Sequence, residues 1–78
     1  MADRSLSFQK LIRILSRYGV SAARQRGSHV VFSKRFPEGV FSYPVPKRKE
    51  VMVFYVQGCR RKFRLTPAHG ITDEEFYG

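Results

Sequence analysis

The apolar residues of this chain change their period at Gly19, and that change limits what it can fold into. Before Gly19 they fall at Phe8, Leu11, Ile12, Leu15 and Tyr18. That spacing is one face of an α-helix and predicts a helix over residues 7–18. Ser7 or Ser5 can supply the N-cap oxygen, and Gly19 stands where a C-terminal cap belongs. Lys10, Arg13 and Arg17 share the opposite, wet face. After Gly19 the pattern becomes extended. Val20 to Gln25 is mildly strand-like, and Arg26-Gly27 is a turn signal. Ser28 to Lys34 is rich in β-branched and aromatic residues and reads as a strand. Pro37-Glu38-Gly39 marks a second turn. Val40 to Val45 alternates, with Pro44 implying an edge strand or a strand end. Three strands at hairpin spacing predict an antiparallel meander.

Residues 50–65 admit two readings. Val51 to Val56 alone has the composition of a buried strand. Three features favour a helix. The segment lacks proline and is longer than an average strand. Met52, Tyr55, Val56, Cys59 and Phe63 would line one face. Gln57, Arg60, Arg61 and Arg64 would line the wet one. Gly58 opposes this by about 1 kcal/mol. Thr66-Pro67 ends the segment. Thr72-Asp73-Glu74-Glu75 has the form of a capping box before Phe76 and Tyr77, which predicts a short turn pinning a C-terminal tail over 66–78.

The predicted order is α-β-β-β-α, an α+β fold. At 78 residues it is one domain, 1–78, with a thin core. The economical packing is a three-stranded antiparallel sheet with both helices on one face. Double-stranded-RNA-binding domains share that layout, which is an analogy of fold alone.

Charge then narrows the partner. Fifteen Lys and Arg against six Asp and Glu leave a formal charge of +9, the footprint of a polyanion partner on so small a domain. Nucleic acid leads. An anionic membrane surface or an acidic protein follows. The one cysteine, Cys59, excludes an internal disulfide, and with two His it is too little for a four-ligand zinc site. The scattered acids do not suggest a two-metal nuclease centre. No metal or cofactor is expected. No apolar run approaches the roughly 20 residues of a membrane span, and the polar start shows no signal peptide. The expectation is a cytoplasmic protein that does not enter membranes.

Arg24-Gln25-Arg26-Gly27-Ser28-His29 is the most informative stretch. Gly27 lets the backbone take φ > 0 or pass close to a ligand. Arg24 and Arg26 supply forked donors that suit phosphate oxygens. His29 is of the one side-chain type whose model-peptide pKa, about 6.5, suits proton transfer near neutrality. A metal-free ribonuclease needs such a group to take the ribose 2′-hydroxyl proton or give one to the departing 5′-oxygen. A lone histidine at a strand start is also a common surface residue. Lys47 and Lys49, with Arg48 between them, could hold an RNA backbone or simply form a solvated run. Cys59 faces the predicted core and reads as structural, and His69 reads as a surface loop residue.

The same stretch carries a resemblance. RQRGSHVVF follows an amphipathic helix ending Tyr-Gly-Val and precedes a strand ending Tyr-Pro-Val-Pro. Over residues 7–65 this resembles the HicA toxin family, small mRNA interferases of toxin–antitoxin modules. Gly27-Ser28-His29 matches the family's core motif, and its catalytic histidine falls on His29. The chain departs from the family pattern after the third strand, where it reads Lys47-Arg48-Lys49-Glu50-Val51. The resemblance implies a double-stranded-RNA-binding-like fold and cleavage of single-stranded mRNA. Arg24, Arg26, Gly27, Ser28, Lys47 and Lys49 are the candidate RNA contacts. It also implies inhibition by a HicB-type antitoxin covering the His29 site. The alternatives from other classes are a non-catalytic basic RNA-binding module and an interaction protein whose basic face serves an acidic partner. Net charge supports all three, and only residues 24–29 favour the enzyme.

Overall fold

The computed structural model describes residues 3–78. In chain order the elements are β1 (Leu6–Ser7), α1 (Phe8–Arg17), β2 (Ser21–Arg26), β3 (His29–Phe36), β4 (Gly39–Pro46), β5 (Glu50–Val51), α2 (Val53–Lys62) and α3 (Asp73–Tyr77). A 3₁₀ turn over Pro67–His69 precedes α3. The predicted α+β order is present. β2, β3 and β4 form a three-stranded antiparallel sheet in sequence order.

The Ser7 side chain caps α1 by accepting the Lys10 N–H at 3.1 Å. The helix buries Phe8, Leu11, Ile14 and Leu15. Ile14 therefore takes the core place expected of Ile12, which is half-buried. The stripe packs against Val30, Phe32 and Val45 of the sheet and Val56, Cys59 and Phe63 of the second helical segment. Both helices thus share one face of the sheet, and the other face is left without a layer.

The 50–65 segment is not one helix. Glu50 and Val51 pair with Ser7 and Leu6 in a two-stranded ladder. Val51 is buried, and α2 starts only after it. Met52 becomes the N-cap and is 66% exposed, which corrects its expected place on the buried face. α2 is capped by Phe63 and followed by Arg64, whose φ is +59°. The Leu65 N–H bonds the Arg60 carbonyl and the Arg64 N–H bonds the Arg61 carbonyl, a helix end that usually calls for glycine. Left-handed backbone costs a side-chain-bearing residue about 1–2 kcal/mol. Stacking of the Arg64 guanidinium 4.6 Å over Phe36 and 5.4 Å over Phe41, with an ion pair to Glu38, offsets it.

Gly58, unfavourable for helix propensity, is required by packing. A Cβ there would lie 1.9 Å from the Tyr43 hydroxyl oxygen. The glycine lets α2 approach β4 with the Tyr43 ring between them.

Arg60 is the larger correction. Helical spacing put it on the wet face, yet it is 3% exposed. Its Nη1 donates to Asp3 at 2.6 Å and to Asp73 at 2.8 Å, and its Nε donates to the Leu65 carbonyl at 2.8 Å. The guanidinium also lies 4.6 Å over the Phe76 ring. The Tyr77 hydroxyl donates to the same Asp3 oxygen at 2.8 Å. The expected capping box is formed by Thr72 and Glu75, and Phe76 and Tyr77 are buried. The 66–78 segment is therefore docked against the domain and contributes to its core. Among the described residues no buried side-chain nitrogen or oxygen lacks a partner.

Two outcomes follow from this packing. Gly58→Ala is expected to lower stability by about 1–3 kcal/mol through overpacking, against a propensity gain of about 1 kcal/mol. An unchanged or raised urea midpoint would show that Tyr43 moves aside freely. The second concerns acid. Burial alone would raise the Asp3 carboxyl, but hydrogen bonds from Arg60 and Tyr77 and the Arg60 charge outweigh it and hold the carboxyl below its ordinary 3.8. The unfolded chain then binds this proton more readily than the folded one, so the stabilisation is full above about 3.8 and is lost as pH falls through the lower folded value. The urea midpoint should drop as pH falls below about 3.8, and Asp3→Asn should make that drop shallower.

Candidate nucleic-acid interface

The geometry of this surface starts from a turn two residues long. Gly27 and Ser28 join β2 to β3. Gly27 has φ +59° and Ser28 does not have a positive φ, the pattern of a type II′ hairpin with glycine at its first central position. The turn sets the register. Arg26 stands opposite His29, and Arg24 opposite Val31. His29 in turn pairs with Pro46, and Val31 with Pro44. Side chains alternate across a strand. Val30 and Phe32 point into the core, so His29 and Val31 face the uncovered side with Arg24 and Arg26. A bulge at Ala23 shifts the rest of β2 by one residue and sets Ser21 opposite Ser33.

Two contacts hold the turn. The Lys47 N–H donates to the Ser28 carbonyl at 2.8 Å, and the Gln25 Nε2 donates to the Gly27 carbonyl at 3.0 Å. Around them Arg24, Arg26, His29, Val31, Ser42 and Pro44 line a shallow depression of about 460 Å³. Arg24, Arg26 and His29 are exposed, while Val31 forms a nearly buried floor. Among the described residues neither arginine has a carboxylate in ion-pairing range, since the ion pairs use Arg60 and Arg64. β2, β3 and β4 contain no acidic residue. Fork-shaped donors beside an imidazole, over an apolar floor and away from carboxylates, suit an anion that carries a proton-exchanging group.

The sequence candidates divide accordingly. Arg24, Arg26 and His29 meet in the depression, and Gly27 and Ser28 form its turn. Lys47 is tied to that turn through its backbone but does not line the depression. Lys49 lies farther along, where its carbonyl accepts the Phe8 N–H at 3.1 Å. Val31, Ser42 and Pro44 escaped sequence reasoning. Counting outward from a two-residue turn would have found them, because they fall on His29's face by register.

Other reactive groups lie elsewhere. Burial pushes the Cys59 thiol up to about 12, so it is inert at neutral pH. His69 sits in the 3₁₀ turn with its Nδ1 3.1 Å from the Thr66 hydroxyl, outside the depression. Among the described residues no three His, Cys, Asp or Glu side chains are grouped to hold a metal ion. None of the described helices is long and apolar enough to cross a membrane. No family model matches the chain, and no curated protein or solved structure matches it either.

Gly27→Ala is expected to lower stability by about 1–2 kcal/mol, since alanine would carry the left-handed cost at the turn. Open space around the position leaves no steric contribution to confuse the result. An unchanged urea midpoint would show that the turn does not depend on this φ.

Proposed function

We propose that this chain is a metal-independent endoribonuclease, the toxin of a HicA-type toxin–antitoxin module, with His29 as general acid or base. The observation that supports it is the meeting of His29 with Arg24 and Arg26 in one open depression. The motif resemblance supplies the reaction.

The chemistry needs little more than these groups. The ribose 2′-oxygen attacks the adjacent phosphorus, the bond to the 5′-oxygen breaks, and a 2′,3′-cyclic phosphate and a 5′-hydroxyl result. Neutral His29 accepts the 2′-hydroxyl proton, or protonated His29 donates to the leaving 5′-oxygen. Arg24 and Arg26 meet the phosphate oxygens as charge builds on them. Lys47 and Lys49 extend the positive charge into the loop that follows β4. In this reading mRNA is the substrate, the cytoplasm is the site of action, and an antitoxin of the HicB type is the inhibitor. An acidic antitoxin surface laid over His29, Arg24 and Arg26 would block proton transfer and phosphate binding together.

A non-catalytic RNA-binding module is the second reading. It draws on the presence of a single imidazole, with no second acid–base partner, among the side chains that line the depression. His29→Ala separates the two. Removing a general acid–base group costs typically 10²–10⁴-fold in rate. Purified wild type should therefore cleave a long single-stranded RNA in the presence of EDTA, and His29→Ala should lose about that factor while keeping its circular dichroism. Equal cleavage by both proteins, or activity abolished by EDTA, overturns the assignment.

A further inference from the structure

We propose that the open sheet face reads the sugar–phosphate backbone of RNA rather than its bases, and that serine hydroxyls there recognise the ribose 2′-hydroxyl. The inference rests on the reading of this face as an RNA site and adds how RNA is chosen.

Register arranges the face in rows across the sheet. Arg26, His29 and Pro46 form the first, and Arg24, Val31 and Pro44 the second. Ser21, Ser33 and Ser42 form the third, and Arg35 with Val40 a fourth. Same-face rows along a strand are about 6.6–6.8 Å apart, a step of the same order as the repeat of an extended nucleotide chain. The arginines stand at both ends, exposed, with the hydroxyl row between them.

What the face lacks is equally specific. Single-stranded nucleic acid is ordinarily gripped by stacking bases on aromatic rings. The aromatic residues of β3 and β4 are Phe32, Phe36, Phe41 and Tyr43, and the pleat turns all of them to the helix side. Phe32 is buried, Tyr43 lies against Gly58, and Phe36 and Phe41 carry the Arg64 guanidinium. Among the described residues of the three strands, no Phe or Tyr ring is left on the open side for a base, and the one imidazole there, His29, is assigned to proton transfer in this reading.

The hydroxyl row fits a sugar. Ser33 and Ser42 are joined at 2.8 Å between their Oγ atoms. One donates to the other, so the pair keeps a free O–H and free lone pairs. A ribose 2′-hydroxyl is likewise both donor and acceptor, and it distinguishes RNA from DNA. Arginine forks on phosphates and serines on riboses carry no base information. The face therefore selects RNA while tolerating its sequence.

The test uses the full chain with His29→Ala to stop turnover. Binding is measured by fluorescence anisotropy at one fixed salt concentration, with oligo-uridine, oligo-adenosine, their 2′-fluoro forms and the matching DNA. The two ribose oligomers should bind within about threefold of each other, as sequence-tolerant binding requires. Each should bind roughly threefold to tenfold tighter than its 2′-fluoro form, the range of one or two lost hydrogen bonds. Adding Ser33→Ala and Ser42→Ala should erase that preference, bringing the ribose and 2′-fluoro forms to equal affinity. A strong base preference overturns the proposal, and so does a 2′-hydroxyl preference that survives the serine substitutions. Equal affinity for RNA and DNA also overturns it while sparing the nucleic-acid site. No binding to any strand overturns the RNA reading itself.

Discussion

The buried guanidinium of Arg60 joins parts of the chain that are far apart in sequence. It binds Asp3, 57 residues away, and Asp73, 13 residues away, and lies against Phe76. Breaking such a pair by removing one partner typically costs about 3–5 kcal/mol, because a buried charge is left unsatisfied. For a domain with so thin a core, that is a large share of its stability. Arg60 also anchors α2 at its C-terminal end, while Gly58 sets how closely the helix approaches Tyr43. Together they hold α2 beside α1 on one side of the sheet. The other side is left open, and the candidate site lies there.

Much of the fold was legible because it is written locally. The α1 stripe, the two turns and the three strands each follow from residues a few positions apart. Features that depend on distant partners were not legible. The pairing of Leu6–Ser7 with Glu50–Val51 involves two residues on each side and leaves no periodic trace. It displaced the start of α2 and turned Met52 outward. Arg60 read as a wet-face residue because its compensating carboxylates lie outside the helix. Ile12 and Ile14 exchanged roles because α1 rotates toward a core whose direction only packing decides.

The candidate site divides in the same way. Arg24, Arg26, Gly27 and His29 stand within six residues, so turn chemistry and residue type announce them. Val31, Ser42 and Pro44 join them through strand register, two of them from a different strand. The bulge at Ala23 had no clear sequence signal, yet it decides that Ser21 faces Ser33. Lys47 and Lys49 stand out in the sequence by charge alone, and the lining of the depression does not include them. Charge locates a polyanion surface in general terms, whereas register decides which cations converge.

If RNA is bound as proposed, it touches the open face of the β2–β3–β4 sheet. Backbone NMR shift mapping tests this most directly, with isotope-labelled His29→Ala protein titrated with a short single-stranded RNA. The largest shifts are expected on the Gly27–Ser28 turn, on Arg24 and Arg26, and along Val31, Ser33 and Ser42. Shifts centred instead on Lys10, Arg13 and Arg17 of α1, with the sheet face unmoved, would contradict it.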